Sequence, residues 1–222
     1  MRLAGLIGES VVDGPGVRLV VFAQGCPHHC AGCHNPGTWD FRGGDDVSLD
    51  DILESLTANP MLSGITISGG EPFAQARAFE ILASLVRRVL PINAAQCGSR
   101  DYGVASAVAS AAASAVASTV ASTEAPVVVY TGYTWEALSA IDDADVSGLL
   151  LATDILIDGP YVEALRDPGL AWRGSCNQRI LDAQASMRTG RPVLWRPRSH
   201  GAPTPPPACS GRPRLGQRPP SC

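Results

Sequence analysis

Three cysteines within eight residues constrain this chain more than any other feature of its sequence. They are Cys26, Cys30 and Cys33 in the segment GCPHHCAGCHN, with the spacing C-x3-C-x2-C and no fourth cysteine nearby. A four-iron cubane takes one thiolate for each iron, so a loop with three cysteines leaves one iron open to an outside ligand. The spacing therefore predicts an iron-sulfur cluster with a vacant position at which a substrate can bind.

Zinc is the alternative that this spacing leaves open. His28, His29 and His34 lie close to the three cysteines, and any of them could complete a site of three cysteines and one histidine. Zinc sites usually combine two C-x2-C pairs that are separated by about a dozen or more residues, and the second pair is missing here. A non-catalytic zinc-binding protein remains the second interpretation.

The composition indicates a chain that stays in the cytoplasm. The N-terminus MRLAGLIGES does not resemble a signal peptide, and no apolar run is long enough to cross a membrane. The other four cysteines, Cys97, Cys176, Cys209 and Cys222, are scattered, which favours reduced thiols over a disulfide framework. All 21 acidic residues lie at or before Asp182, so this part of the chain is acidic. Its negative charge argues against nucleic acid as the main partner.

Hydrophobic runs that alternate with helical patterns predict an α/β fold of parallel β-α units. Ser48 begins a Ser-x-x-acid start that resembles a capping box. Strands are predicted at residues 17–23, 64–68, 126–131 and 154–158, and helices at 49–58, 74–90 and 135–141. We expect one domain over residues 1–190, which an Ala/Ser/Val-rich insertion interrupts at 93–125, and a disordered Pro/Arg-rich tail over residues 191–222.

A second motif makes the cysteine pattern specific. The turn Gly69-Gly70-Glu71-Pro72 follows the strand ITIS. A C-x3-C-x2-C loop after one strand and a Gly-Gly-Glu turn after the next resemble the radical S-adenosylmethionine superfamily. The resemblance implies an incomplete β/α barrel, a [4Fe-4S] cluster and S-adenosylmethionine as cofactors.

Four further segments are similar to the activating proteins of anaerobic ribonucleoside-triphosphate reductase. They are VDGPGVR at residues 12–18, TGYTWEAL at 131–138, DILIDGPYV at 154–162 and WRGSCNQRI at 172–180. The last segment favours this group over activases of other glycyl radical enzymes, such as pyruvate formate-lyase, and over small radical enzymes acting on a metabolite. Together the segments cover most of the chain outside the insertion and the tail.

The resemblance also implies a ligand set and a reaction. Cys26, Cys30 and Cys33 would bind the metal, and the cofactor-binding residues would be Gly32, Cys33, His34, Gly69, Gly70 and Glu71. A reduced flavodoxin or a similar donor would supply an electron under anaerobic conditions. Cleavage of S-adenosylmethionine to methionine and 5'-deoxyadenosine would then leave a glycyl radical on the reductase, as expected of an oxidoreductase.

The sequence departs from the family pattern at two positions. Gly32 stands where much of the superfamily has an aromatic residue, so the contact to adenine must come from elsewhere, with His34 as a candidate. Cys176 stands where the resemblance suggests serine, and we expect it to be a small buried residue. A final set of polar residues lies at strand ends and turns, where each could orient the cofactor or a partner or form a cap or ion pair, and we favour caps or ion pairs: Asp13, Arg18, Asp158 and Arg173.

Overall fold

The short runs of β-branched residues form the centre of a mixed sheet. A computed structural model describes residues 1–90 and 126–196. The strands are β1 (Arg2–Ser10), β2 (Val17–Ala23), β3 (Asp45–Asp46), β4 (Leu62–Gly69), β5 (Val127–Tyr130), β6 (Ile155–Asp158) and β7 (Arg179–Asp182). Their order in the sheet is β3-β1-β2-β4-β5-β6-β7. The predicted α/β class is confirmed, and so are the four predicted strands.

The pairing of β2 with β4 sets up the rest of the molecule. The neighbouring pairs β2–β4, β4–β5 and β5–β6 are parallel, whereas β1 and β7 join antiparallel to β2 and β6. In the register of β2 and β4, Ala23 lies opposite Gly69. The chain that leaves β2 and the chain that leaves β4 therefore start side by side at the carboxyl edge of the sheet.

Five helices accompany the sheet in the described ranges: α1 (Leu49–Ala58), α2 (Ala76–Val89), α3 (Trp135–Ser139), α4 (Ala144–Ala152) and α5 (Ala183–Thr189). The predicted start of α1 is confirmed, because the Ser48 hydroxyl accepts a hydrogen bond from the Asp51 amide at 3.1 Å. Helix α2 begins later than predicted, since the residues Pro72–Gln75 form a separate 3-10 turn. None of these helices has the length and hydropathy of a membrane-spanning segment.

The two faces of the sheet are covered differently. Apolar residues of all five helices form the main core against one face, where Phe79, Leu82 and Val86 of α2 are fully buried. On the other face, Val128, Ile155, Ile157 and Ile180 form a smaller cluster, against which Trp172 and Trp195 pack. The sheet is not closed into a barrel within the described residues, because β3 and β7 each have a single neighbour.

The predicted insertion at 93–125 and the predicted tail beyond Arg196 lie outside the described residues. The first part of the predicted tail, residues 191–196, contacts the sheet. The Trp195 amide donates to the Ile180 carbonyl at 2.9 Å, and the Trp195 ring lies 5.3 Å from the ring of Trp172. We therefore move the start of the proposed tail to the residues after Arg196.

Arg18 links the amino ends of the central strands. Its side chain is fully buried on the face of the sheet opposite the helices. The guanidinium donates to the Thr66 hydroxyl at 3.1 Å, to the Pro126 carbonyl at 3.2 Å and to the Ile65 carbonyl. Burial lowers the pKa of Arg18 to about 10. The hydrogen bonds of Arg18 join β2 to β4 and to the start of β5. They support the expectation that this residue stabilises the fold.

We expect the substitution Arg18→Met to lower the free energy of unfolding by about 3 kcal/mol, because it leaves the Ile65 and Pro126 carbonyls without these buried donors. Arg77→Met is the matched control, since the Arg77 side chain is 69% exposed and pairs only at the surface. The control should change stability by less than about 0.5 kcal/mol. Urea unfolding measures both, and equal midpoints for the two variants would contradict the assignment.

Candidate metal centre

The three cysteines of the motif lie in the loop that follows β2, at the carboxyl edge of the sheet. All three are free thiols; Cys26 is buried, and Cys30 and Cys33 are half-buried. The Cys33 amide donates to the Cys30 carbonyl at 3.1 Å, which closes a tight turn between them. Burial raises the pKa of the Cys26 thiol above its ordinary value. A raised pKa means that burial disfavours the thiolate form. Binding of a metal would offset this effect, because coordinated thiols are deprotonated.

The glycine turn after β4 is bonded directly to the start of the cysteine loop. The Gly70 amide donates to the Ala23 carbonyl, and the Glu71 amide donates to the Gly25 carbonyl, both at 2.8 Å. A Cβ atom at Gly70 would lie only 2.4 Å from the Gly25 carbonyl oxygen, and Gly69 has a φ of +91°. Glycine is therefore required at both positions, the first for its backbone angle and the second for the close approach.

The side chain of Glu71 is fully buried and is surrounded by protein donors. Its carboxylate accepts hydrogen bonds from the Phe73 amide at 3.0 Å, from the Gly132 amide at 2.9 Å and from the Thr131 hydroxyl at 3.0 and 3.1 Å. These contacts tie the turn after β4 to the end of β5. The side chain that the sequence predicts to bind cofactor lies beneath the cleft, where its bonds are to protein atoms.

His28 brings the cysteine loop to the same carboxylate. Its Nε2 atom lies 2.8 Å from the Glu71 carboxylate, and its ring meets the edge of Tyr133 with centroids 4.4 Å apart. A Cβ atom at Gly132 would lie 2.4 Å from the His28 ring, so only glycine leaves room for this packing. The sequence indicates His28 only as an alternative zinc ligand, because its partner in this contact is 43 residues away along the chain.

The segment after the motif closes over the first cysteine. The Cys26 amide donates to the Trp39 carbonyl at 3.1 Å, and the Gly25 amide donates to the Thr38 carbonyl at 2.8 Å. The ring of His29, whose backbone has a φ of 49°, stacks on Trp39 with centroids 4.9 Å apart. These contacts join the cysteine loop to the segment at Thr38 and Trp39.

A cleft of about 140 Å³ opens beside the three thiols. Of the residues predicted to bind cofactor, Cys33, His34, Gly69 and Gly70 line it, whereas Gly32 and Glu71 do not. Eleven other residues line it: Cys26, His28, Cys30 and Asn35 after β2, Ser68 in β4, Tyr130 in β5, Thr131 and Gly132 after β5, Gly159 and Tyr161 after β6, and Gln178 before β7. The strand ends thus bring together thiols, a glycine turn and aromatic rings.

The three thiols lie beside the cleft without forming a preformed site for a single metal ion in the described part of the chain. Among the described residues, no three His, Cys, Asp or Glu side chains converge as a site for one metal ion would require. A cubane does not need that convergence, because each cysteine binds a different iron. The zinc interpretation accordingly gains no support from the side chains described, whereas three free thiols beside a cleft fit a cluster with one open position.

Comparison with known proteins decides the family. The family model of a 4Fe-4S single cluster domain matches residues 12–99 and 106–181. The anaerobic ribonucleoside-triphosphate reductase-activating protein of Vibrio cholerae serotype O1 is 33% identical over 174 residues, which are 77% of this chain and 90% of that protein. The corresponding protein of Escherichia coli K12 is 32% identical over 77% of this chain and 91% of its own length. That of Enterobacteria phage T4 is 30% identical over 76% of this chain and 86% of its own length.

This chain belongs to the family of anaerobic ribonucleoside-triphosphate reductase-activating proteins. The family predicted from the short segments is thereby confirmed, and with it the domain for a 4Fe-4S cluster. The matched region covers the cysteine loop, the glycine turn and the residues of the cleft. It also includes the segment 172–180, on which the sequence analysis based its choice among activases.

Two of the polar residues noted in this family member support the fold rather than the cleft. The Asp158 carboxylate is buried and accepts hydrogen bonds from the Trp135 amide at 2.8 Å and from Arg179. Arg179 also reaches Glu136 at 2.7 Å, and this bond lowers the pKa of Glu136 to about 2. Arg173 donates to a carbonyl within its own loop. Asp158 matches the expectation of an ion pair, whereas the bond of Arg173 is to the backbone.

Cys176 differs from its expected placement. It is half-buried, and its amide donates to the Leu165 carbonyl at 2.8 Å. The buried small residue at this point is the neighbouring Ser175, whose hydroxyl accepts from the Val162 amide at 3.2 Å. The expectation that Cys176 is buried was therefore wrong, and the buried residue is its neighbour Ser175. Composition alone does not reveal which side of an irregular loop faces inward.

We expect Glu71→Ala to lower the free energy of unfolding by about 3 kcal/mol, because it leaves buried donors at Phe73, Thr131 and Gly132 without an acceptor. Glu71→Gln keeps one acceptor oxygen and should lose less than Glu71→Ala. Urea unfolding of the protein without cluster provides the measurement. Equal losses in the two variants would show that the carboxylate does not act as an acceptor of these bonds.

Proposed function

We propose that this chain activates anaerobic ribonucleoside-triphosphate reductase by generating a glycyl radical on it, as a radical S-adenosylmethionine oxidoreductase. The observation that carries the proposal is the cleft in which three free thiols meet a glycine turn from the neighbouring strand. The matching family model for a single 4Fe-4S cluster and the activity named for the relatives support it.

Cys26, Cys30 and Cys33 would hold three irons of the cluster and leave the fourth to the amino and carboxylate groups of S-adenosylmethionine. Once flavodoxin or a similar donor has reduced it, such a cluster supplies one electron that cleaves S-adenosylmethionine to methionine and a 5'-deoxyadenosyl radical. This radical would take a hydrogen atom from a glycine of the reductase. The products besides the glycyl radical are methionine and 5'-deoxyadenosine.

The residues of this chain would bind and orient the cofactor. The turn at Gly69 and Gly70 carries no side chain, so its backbone is accessible to the methionine end of the cofactor beside the cysteines. Glu71 and His28 would act as positioning residues, because their contact fixes the cysteine loop relative to β4 and β5. Gly32 would also act as a positioning residue, because its backbone conformation sets the shape of the cysteine loop.

The open sheet suits a protein substrate. The parallel strands β2, β4, β5 and β6 follow one another in chain order and carry the cleft at their carboxyl ends, as strands of a β/α barrel do. We infer a partial barrel whose missing side admits a loop of the reductase. A closed barrel would leave little space for a segment of a large partner.

We expect Cys30→Ala to prevent both cluster binding and cleavage of S-adenosylmethionine, because two thiolates do not retain a cubane. Ser55→Ala is the control, since Ser55 is exposed on α1 and lies outside the cleft lining. Anaerobic reconstitution followed by iron and sulfide analysis and visible absorption measures the cluster, and release of 5'-deoxyadenosine measures cleavage. Cleavage retained by Cys30→Ala, or a colourless zinc adduct of the unsubstituted protein, would reject the proposal.

Electron paramagnetic resonance identifies the partner. The reconstituted protein, S-adenosylmethionine and dithionite should produce a glycyl doublet on an anaerobic ribonucleoside-triphosphate reductase and none on pyruvate formate-lyase. The opposite pattern would identify an activase of the other enzyme. Cleavage without a doublet on either protein would exclude both assignments.

A further inference from the structure

Two aromatic rings meet on the wall of the cleft. His34 directly follows the last cysteine of the motif, and Tyr161 lies in the loop after β6. Their ring centroids are 4.8 Å apart at an interplanar angle of 50°, and both residues line the cleft. An aromatic wall beside metal-binding thiols is suited to a flat heterocyclic ring, because stacking on aromatic side chains is the common mode of binding a nucleobase.

The position of Tyr161 depends on Glu163, to which its hydroxyl donates a hydrogen bond. The Glu163 carboxylate in turn lies against the cysteine loop at Gly32. A Cβ atom at Gly32 would lie 2.2 Å from the Glu163 carboxylate oxygen, and the φ of Gly32 is +73°. The glycine that replaces an aromatic residue in the motif thus leaves the space that Glu163 occupies.

Gly174 supports the same pair from the segment 172–180. A Cβ atom at Gly174 would lie 3.0 Å from the Tyr161 ring and 3.1 Å from the His34 ring. The Gly174 amide is held by the Gln178 side chain at 2.9 Å. The two rings are therefore positioned by three separate parts of the chain: the cysteine loop, the loop after β6 and the segment at Gly174. Such positioning favours a functional role for the tyrosine.

We propose that Tyr161 contacts the adenine ring of S-adenosylmethionine and that Glu163 is its positioning residue. The inference rests on the proposed function and adds to it the residues that recognise the nucleoside end of the cofactor. In this arrangement the aromatic contact missing at Gly32 is supplied by the loop after β6, and His34 completes the wall.

Binding to the reconstituted holoprotein tests the inference, and the ligands are S-adenosylmethionine, 5'-deoxyadenosine and methionine. Tyr161→Leu should weaken binding of S-adenosylmethionine and of 5'-deoxyadenosine by about ten-fold, in the range found for loss of one base stacking contact. Binding of methionine should stay unchanged, because that end of the cofactor lies beside the cysteines. Tyr161→Phe keeps the ring but loses the bond to Glu163 that positions it, so its affinity for both ligands should lie between those of Tyr161→Leu and the unsubstituted protein.

Phe41→Leu is the matched control. Phe41 is an exposed aromatic residue that packs under Gly25 of the cysteine loop and does not line the cleft. The control should bind all three ligands as the unsubstituted protein does. Equal weakening of methionine and 5'-deoxyadenosine by Tyr161→Leu would mean a general loosening of the loop and would overturn the inference, as would unchanged binding of both.

The same measurement separates this inference from the proposed function. If the unsubstituted holoprotein fails to bind S-adenosylmethionine, the proposed function is wrong and the inference fails with it. If that protein binds the cofactor and Tyr161→Leu binds it equally well, only the assignment of Tyr161 is wrong.

Discussion

The buried carboxylate of Glu71 is the interaction on which the geometry of the centre depends. A carboxylate without water must be surrounded by donors, and Phe73, Thr131, Gly132 and His28 supply them from three different parts of the chain. Satisfying one charge therefore determines where the cysteine loop, the turn after β4 and the end of β5 lie relative to one another. The same requirement explains why glycine stands at position 132, where any side chain would displace His28.

The elements that could be predicted from the sequence are those specified by local patterns. The strands β2 and β4 contain short apolar segments rich in β-branched residues, and the capping serine of α1 acts within its own turn. The cysteines could be found for the same reason, because a cluster loop is contiguous in sequence. The parallel pairing of β2 with β4 then places them beside the glycine turn, so the main features of the site followed from motif spacing.

The parts that sequence analysis missed depend on contacts between distant residues. The strand β1 is interrupted by glycines and largely exposed, so it shows no alternation of apolar and polar residues. The bridge that Leu194 forms with β7 lies in a segment whose proline and arginine content is typical of a tail. Likewise, neither the partner of His28 nor the role of Glu163 can be derived from its neighbours in sequence, because each contact forms only when the sheet brings separate loops together.

The start of β5 is anchored at the edge of the sheet that lies away from the thiols. Helix α2 ends at Val89 and β5 starts at Val127, so the intervening connection joins the sheet at the edge opposite the thiols. At that edge the Pro126 carbonyl accepts from the Ile65 amide and from Arg18, which anchors the strand independently of what precedes it. A change in length ahead of Pro126 would therefore leave β5 in place, and with it Thr131 and Gly132 at the far end of that strand.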